Sequence, residues 1–123
     1  MAVTFEAVRN IALSLDKAEE GTSYGTPAFK VSGKLFARLR EDNDSLVLRV
    51  DFDEREELMK ADPDTYYITD HYLHYPWILV RLSRVHPDAM PGLLRMAWRR
   101  AAAEKKRATR ERDAVRSRAR RRR

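Results

Sequence analysis

Apolar side chains at helical spacing near the start of the chain predict an amphipathic helix over residues 4–16. The stripe consists of Phe5, Val8, Ile11, Ala12 and Leu15. Such spacing is typical of a helix that buries one face. Thr4 precedes the stripe and Glu6 lies in its first turn, so Thr4 is the predicted N-cap. The turn-forming sequence GTSYGTP ends the helix.

The pattern then changes to the two-residue alternation of β-strands. Strands are predicted over residues 28–31 and 34–40, joined by the two-residue turn Ser32-Gly33, which favours a hairpin. SLVLRVD is the third strand of a meander. YYIT is a brief extended piece, and WILVRL is a further strand.

Two more helices are predicted. One is short and covers residues 54–60, with Asp53 as its N-cap and an end before Pro63. The last helix begins near HPDAMPG, where Pro87 and Pro91 must both lie early because a later proline would kink the helix. Its apolar face comprises Leu93, Leu94, Ala97, Trp98 and Ala101.

The order of the elements predicts an α+β domain with one antiparallel sheet. Strands grouped between helices imply that the N- and C-terminal helices pack on one face of the sheet. The other face is then expected to lie open to solvent. A two-layer sandwich is the predicted architecture.

Basic and aromatic side chains are predicted to share this open face. Across the Ser32-Gly33 turn, Val31 is expected opposite Lys34 and Phe29 opposite Phe36, so that one side of the hairpin carries the basic residues. Together with the later strands, the predicted surface comprises Lys34, Phe36, Arg38, Arg40, Arg49, Trp77 and Arg81. Guanidinium groups beside aromatic rings suit phosphate contacts and stacking on bases. The alternative interpretation is a solvated sheet face with ordinary cross-strand pairs.

The charge is divided unevenly along the chain. Residues 1–98 contain 12 Lys and Arg against 16 Asp and Glu, a net charge of −4, whereas residues 99–123 contain 13 against 3, a net charge of +10. An acidic body with a strongly basic end is typical of proteins with an anionic partner such as nucleic acid.

Two segments resemble the MmcQ/YjbR family. They are YGTPAFKVSGKLFARL and ITDHYLHYPWILVRLSRVHPDAMPGLLRMAWRRAA, and the likeness extends over about residues 4–103. The resemblance implies a bacterial domain of the frataxin-like (CyaY-like) α+β type, also described as a double wing, and a family generally labelled DNA-binding. The pattern residues are Phe29, Lys30, Lys34, Phe36, Trp77 and Arg81.

The chain departs from this pattern near its end, which divides it into a domain over residues 1–103 and a basic extension over residues 104–123. The extension is predicted to continue the last helix and then to be disordered, because like charges repel. Its residues Lys105, Lys106, Arg107 and Arg110 are predicted to contact phosphates without sequence preference. A tail that only aids solubility is the alternative.

Motifs for catalysis are missing from the sequence. It has no cysteine, no glycine-rich phosphate loop and no Gly-x-Ser-x-Gly elbow. His71 and His74 are spaced as metal ligands can be, but a loop with a packing role explains them better. The acidic run DFDEREE provides a helix cap and a solvated face rather than an iron site. No cofactor, no metal and no enzymatic activity are predicted.

The predicted function is therefore non-enzymatic binding of nucleic acid, DNA in particular, by the basic sheet face and the arginine-rich tail. The alternative is a domain that binds a small molecule or a protein in an aromatic pocket near residues 71–77, lined by Phe36, Tyr72, Tyr75 and Trp77. No apolar run is long enough for a membrane span. A cytoplasmic monomer is expected.

Overall fold

In the computed structural model, which describes residues 3–104, one face of a six-stranded antiparallel sheet is covered by helices. The strands are β1 (Ala18–Ser23), β2 (Thr26–Val31), β3 (Lys34–Leu39), β4 (Ser45–Arg49), β5 (Tyr66–Tyr67) and β6 (Trp77–Arg81). Their order in the sheet is β1-β2-β3-β4-β6-β5. The helices are α1 (Phe5–Ser14), α2 (Phe52–Ala61) and α3, residues 90–104. This arrangement confirms the predicted α+β class.

The terminal helices pack on the sheet as their apolar stripes predicted. Thr4 is the N-cap of α1, since its hydroxyl oxygen accepts a hydrogen bond from the backbone N–H of Ala7 at 3.2 Å. The stripes of α1 and α3 join one core with alternate residues of strands β2, β3, β4 and β6. The indole N–H of Trp98 also donates to the carbonyl of Asp16 at 2.9 Å, which ties α3 to the end of α1.

Helix α2 begins earlier than predicted, and its N-cap is Asp51 rather than Asp53. The Asp51 carboxylate accepts from the backbone N–H of Glu54 at 2.7 Å, and the Glu54 carboxylate accepts from the N–H of Asp51 at 3.0 Å. This reciprocal capping box satisfies two N–H groups at the helix start. Asp53 fits the same sequence pattern, but the chain already turns from β4 at Asp51.

Strand β1 is absent from the sequence prediction, which ended the first helix in a turn. It lies at one edge of the sheet and pairs along its length with β2. Its sequence AEEGTS consists mainly of residue types that are depleted in strands, and most of its side chains are exposed. Tyr24 and Gly25 have positive φ values of 53° and 78°, as a two-residue hairpin turn requires.

The β2–β3 hairpin contains a β-bulge that shifts its register. The Ser32-Gly33 turn and the pairing of Val31 with Lys34 are as predicted, but Phe29 pairs with Ala37 rather than with Phe36. Phe36 is the extra residue of the bulge, and both Phe36 and Ala37 lie in the core beneath the helices. After the bulge, alternation resumes with Arg38 on the opposite face.

The bulge decides which residues share the solvent face. Phe29 and Val31, predicted on that face, lie in the helix-covered core instead. Arg38 lies on the solvent face, opposite Val47 of the adjacent strand β4. Val47 in turn lies opposite Leu79 of strand β6. Within residues 3–104, no helix has the length and apolar composition that a membrane span needs.

Candidate functional site

A pocket of about 350 Å³ opens on the solvent face of the sheet. The residues that line it come from the β1–β2 turn, from strands β3, β4 and β6, and from the segment between β5 and β6. They are Tyr24, Leu35, Arg38, Val47, His71, Tyr72, Tyr75 and Trp77. The volume lies at the small end of the range for ligand pockets. Aromatic rings dominate its walls, and the guanidinium of Arg38 is its one permanently charged group.

A small apolar cluster forms the base of the pocket. Val47, Leu79 and Tyr72 are buried together on this face, and Tyr67, Ile68 and Trp77 pack against them. This cluster is separate from the main core on the other side of the sheet. The tyrosine ring of Tyr72 is further held by the edge of His71, with ring centroids 4.9 Å apart.

Arg55 of helix α2 holds the segment that carries three of the aromatic residues. Its Nη1 donates to the carbonyls of Tyr72 at 2.9 Å and Tyr75 at 2.8 Å, and its Nη2 donates to the carbonyl of Leu73 at 2.9 Å. The side chain is buried, its guanidinium carbon lies 4.8 Å from the ring centroid of Phe52, and no carboxylate within residues 3–104 pairs with it. One guanidinium therefore supplies the hydrogen-bond donors for three backbone carbonyls in the irregular segment between β5 and β6.

Arg38 is nearly buried at the side of the pocket, with 7% of its surface exposed. Its Nη1 donates to Thr26 Oγ1 at 3.2 Å and to Glu41 Oε1 at 3.1 Å, and its Nη2 donates to the Tyr72 hydroxyl at 3.2 Å. The ring of exposed Tyr24 lies over the guanidinium, 5.3 Å from centroid to Cζ. Three hydrogen bonds to three different segments fix the orientation of this side chain.

The pKa values of Arg38 and Glu41 are both shifted in the direction that favours the charged form of each group. Burial lowers the pKa of Arg38, but hydrogen bonds to Tyr72 and Glu41 outweigh it, so the pKa is raised. The pKa of Glu41 is lowered, first by a backbone N–H bond and then by Arg38. Arg38 is thus a fixed cation that is already neutralised in part by a carboxylate.

Arg49 and Arg81 lie on the same face but outside the pocket. The Cζ of Arg49 is 5.3 Å from the Trp77 ring centroid, and its Nη2 donates to the carboxylate of Glu104. The Cζ of Arg81 is 3.8 Å from the Tyr67 ring centroid, and within residues 3–104 it has no carboxylate partner. The alternation predicted for β4 and β6 is confirmed.

The structure separates two predicted residues from this surface. Phe36 is fully buried in the core, in contact with Phe29 at a centroid distance of 6.4 Å, because it is the extra residue of the bulge. Lys34 pairs with core-facing Val31, and therefore extends from the end of the hairpin on the helix side. The prediction that both share the arginine surface is wrong.

The other predicted residues divide into three groups. Arg40 is half-buried at the rim, beside a shallow extension of the pocket that Tyr24, Arg38 and Glu41 also line. Arg38, Arg49, Trp77 and Arg81 occupy the solvent face as described above. Lys105, Lys106, Arg107 and Arg110 lie outside the described residues, as does nearly all of the basic extension.

Sequence reasoning missed Tyr24 and Arg55 as parts of the site. Tyr24 lies in the turn of a hairpin that was not predicted, although Tyr-Gly before a strand is a recognisable turn signal. Arg55 was counted as part of a solvated acidic helix. Within residues 3–104 there is no group of three or more His, Cys, Asp or Glu side chains arranged to hold a metal ion.

The structure is a two-layer α+β protein with a pocket on the uncovered face of its sheet. The family model for YjbR matches residues 13–100, and the chain belongs to this family. A solved structure with the same fold is protein DR2400 from Deinococcus radiodurans, described with a DUF419 domain. It is 25% identical, with a TM-score of 0.68 over 79% of this chain and 77% of that one. No curated protein sequence gives a significant match.

Proposed function

We propose that the protein binds single-stranded nucleic acid, with one unpaired base in the aromatic pocket and the phosphates beside the basic residues 105–123. The observation that supports this most is the position of the pocket next to the start of the basic segment. Glu104, the last described residue, pairs with Arg49, and Arg49 lies over Trp77, a wall of the pocket.

The walls of the pocket suit the face of a nucleobase. Tyr75 and Tyr24 are exposed, at 58% and 84%, so their rings are available to stack on a base. Stacking of a base on an aromatic side chain contributes about 1–3 kcal/mol. A base that is paired in a duplex must first be unstacked and flipped, which costs a few kcal/mol. Single strands are therefore the expected ligand.

The attraction for phosphates is assigned mainly to the tail. Residues 3–104 contain 14 Lys and Arg against 17 Asp and Glu, a net charge of −3, whereas residues 105–123 contain 11 against 2, a net charge of +9. Arg38 and Arg49 each have a carboxylate partner. Arg81 is the arginine of the solvent face best placed for an added phosphate contact.

Fluorescence anisotropy with a labelled oligothymidylate, over a series of salt concentrations, tests the proposal. Tyr75→Ala is expected to weaken binding by roughly 5- to 150-fold. Leu73→Ala is the matched control, because Leu73 is an exposed residue of the same segment that does not line the pocket. Truncation after Glu104 is expected to remove most of the salt dependence, since each phosphate neutralised on a single strand contributes about 0.7 to the slope.

Two results would contradict the proposal. Absence of binding at low salt removes it entirely. Binding that survives Tyr75→Ala unchanged and disappears on truncation assigns the affinity to the tail alone and removes the pocket from the site.

A second candidate is a small molecule with a planar ring, or an aromatic side chain of a partner protein, in the same pocket. The net charge of −3 on residues 3–104 and the carboxylate partners of Arg38 and Arg49 favour it. This candidate predicts that the truncated protein, titrated with free nucleosides or indole in a calorimeter, binds with little dependence on salt. A nucleic-acid partner also implies a cytoplasmic location, which is proposed together with the function.

A further inference from the structure

We propose that the single strand continues from the aromatic pocket to helix α3, where Arg95 and Arg99 bind its phosphates. This inference rests on the proposed function, because it follows the same ligand beyond the base in the pocket. It depends on a second groove, on the charges that line this groove and on the surface that joins it to the pocket.

The second groove lies beside α3 and has a volume of about 500 Å³. Residues 95, 99 and 103 follow one another at intervals of four, so they lie on one side of the helix. Three arginines of one helix therefore line a common space, called the α3 groove below. Its lining includes Glu54 of α2 and, from α3, Arg95, Met96, Arg99, Arg100 and Ala103.

Arg95 and Arg99 carry the uncompensated charges of the α3 groove. Both are exposed, and within residues 3–104 neither forms an ion pair with a carboxylate. Glu54, the carboxylate in the lining, lies 3.0 Å from Nε of Arg100, and Asp51 lies 2.8 Å from Nη2 of the same arginine. Two positive charges thus remain in a part of the chain whose net charge is −3. This local excess of positive charge attracts phosphate groups.

A surface depression of about 350 Å³ joins the α3 groove to the aromatic pocket. It shares Arg100 and Ala103 with the α3 groove, and Arg49 is part of its lining at the other end. Arg49 in turn lies over the ring of Trp77, a wall of the aromatic pocket, with 5.3 Å between its Cζ and the ring centroid. The three hollows therefore adjoin one another, which gives a strand a continuous course from the pocket to α3.

The α3 groove suits phosphate groups, which reach a protein either in a nucleic-acid strand or as free anions. A guanidinium binds phosphate oxygens from either source. The adjoining aromatic pocket favours the strand, because contacts linked in one ligand strengthen its binding. Such a strand must span the depression between the two sites, so only a ligand of several nucleotides contacts both.

Fluorescence anisotropy with oligothymidylates of two lengths tests the inference in the 123-residue chain. In a variant that combines Arg95→Gln and Arg99→Gln, the salt slope for a strand of about 12 nucleotides is expected to fall by about 1.4, since each phosphate contact on a single strand contributes about 0.7. A labelled trinucleotide, which fills the pocket without reaching α3, is expected to bind this variant as it binds the unaltered protein. Glutamine is a good helix former, so the variant keeps α3.

A second double variant controls for the loss of charge alone. Lys34→Gln combined with Arg84→Gln removes the same charge from two exposed positions that line none of the three hollows. This control is expected to leave the salt slope for the longer strand nearly unchanged. Inorganic phosphate, added at constant ionic strength, provides the arm for a free anion and is expected not to displace the longer strand.

The outcomes separate this inference from the proposed function. No binding of either oligonucleotide contradicts both. Tyr75-dependent binding with the same slope in the two double variants leaves the proposed function standing and overturns the course along α3. Equal weakening for the trinucleotide and the longer strand would assign the effect to net charge and also overturn it. Displacement by inorganic phosphate that needs Arg95 and Arg99, with an unchanged slope for the longer strand, would identify a free-anion site instead.

Discussion

The two faces of the sheet are built from alternate residues of the same strands, yet they contain different chemistry. On the helix-covered face, Phe29, Leu48 and Val80 join a continuous core with α1 and α3. On the solvent face, a small cluster around Val47 and Leu79 supports arginine and aromatic side chains that surround a pocket. Most of the buried apolar side chains therefore lie on the helix-covered face, whereas the solvent face carries a smaller cluster and the pocket.

The largest effect is expected from the core face, at the residue whose position the bulge decides. Phe36→Ala removes a fully buried ring and is expected to lower the free energy of unfolding by about 3–5 kcal/mol. Tyr24→Ala, at an exposed ring on the other face, is the control and is expected to change it by less than about 0.5 kcal/mol. Urea denaturation measures both. Similar values for the two variants would remove the contrast between the faces.

Arg55 links the two faces, and its removal is expected to give the next largest effect. Arg55→Met leaves the carbonyls of Tyr72, Leu73 and Tyr75 without their donor, at a cost of about 2–3 kcal/mol. In a Trp98→Phe background, the fluorescence of Trp77 is expected to report a loosened pocket wall. Arg100→Met, which breaks the half-exposed ion pairs with Asp51 and Glu54, is the control, with a cost below about 1 kcal/mol for each pair. An unchanged Trp77 spectrum in Arg55→Met would contradict the role assigned to Arg55.

Glu41 places a negative charge beside Arg38 on the solvent face, and its removal tests whether this charge weakens binding. Glu41→Gln removes the carboxylate beside Arg38, so binding of an oligonucleotide at low salt is expected to tighten about two- to threefold, with the gain lost at high salt. Stability is expected to change by less than about 0.5 kcal/mol. Glu57→Gln, an exposed position on α2, provides the same charge change away from the pocket. Equal gains in both variants would show that only net charge matters.

The smallest effect concerns the turn between β3 and β4. The Asp42 carboxylate is partly desolvated, which raises its pKa, but bonds from the N–H groups of Asp44 and Ser45 and from the Ser45 hydroxyl outweigh this and lower the pKa. A lowered folded-state pKa means that the contribution is present above the unfolded value near pH 4 and is lost as the pH falls through the folded value. Because Asp42 is exposed, the contribution is expected to be below about 1 kcal/mol.

Urea unfolding of Asp42→Asn and of the unaltered protein over a pH series checks this expectation. The difference between the two is expected above about pH 5 and to vanish at about pH 2. Asp64→Asn, at an exposed aspartate elsewhere, is the control. A difference that grows on acidification would contradict the assigned direction.

Local patterns predicted the parts of the fold that depend on local contacts. The stripes of α1 and α3, the Thr4 cap and the Ser32-Gly33 turn all act within a few residues of the chain, and the structure contains each of them. The cap of α2 was misplaced by two residues because Asp51 and Asp53 fit the same local pattern. Strand β1 was missed because hydrogen bonds to β2, rather than its own residues, make it a strand.

The candidate site was predicted in part for the same reason. Trp77, Tyr72 and Tyr75 were expected around a pocket, and they line one. Phe36 was not recognisable as a core residue, since both it and Ala37 are apolar and the choice of the bulged residue depends on packing across strands. The contacts of Arg55 reach carbonyls 17 to 20 residues later in the chain, so no local pattern reveals them.

The amino-acid sequence by itself determined the α+β class, the terminal helices, the alternation in β4 and β6 and the concentration of positive charge after Glu104, because periodicity and composition are properties of the chain alone. Only the tertiary structure decided that a bulge carries Arg38 to the solvent face, that Arg38 and Arg49 have carboxylate partners, and that Tyr24 and Arg55 belong to the site. Register and ion pairing depend on residues distant in the chain. They are fixed when the sheet packs against its helices.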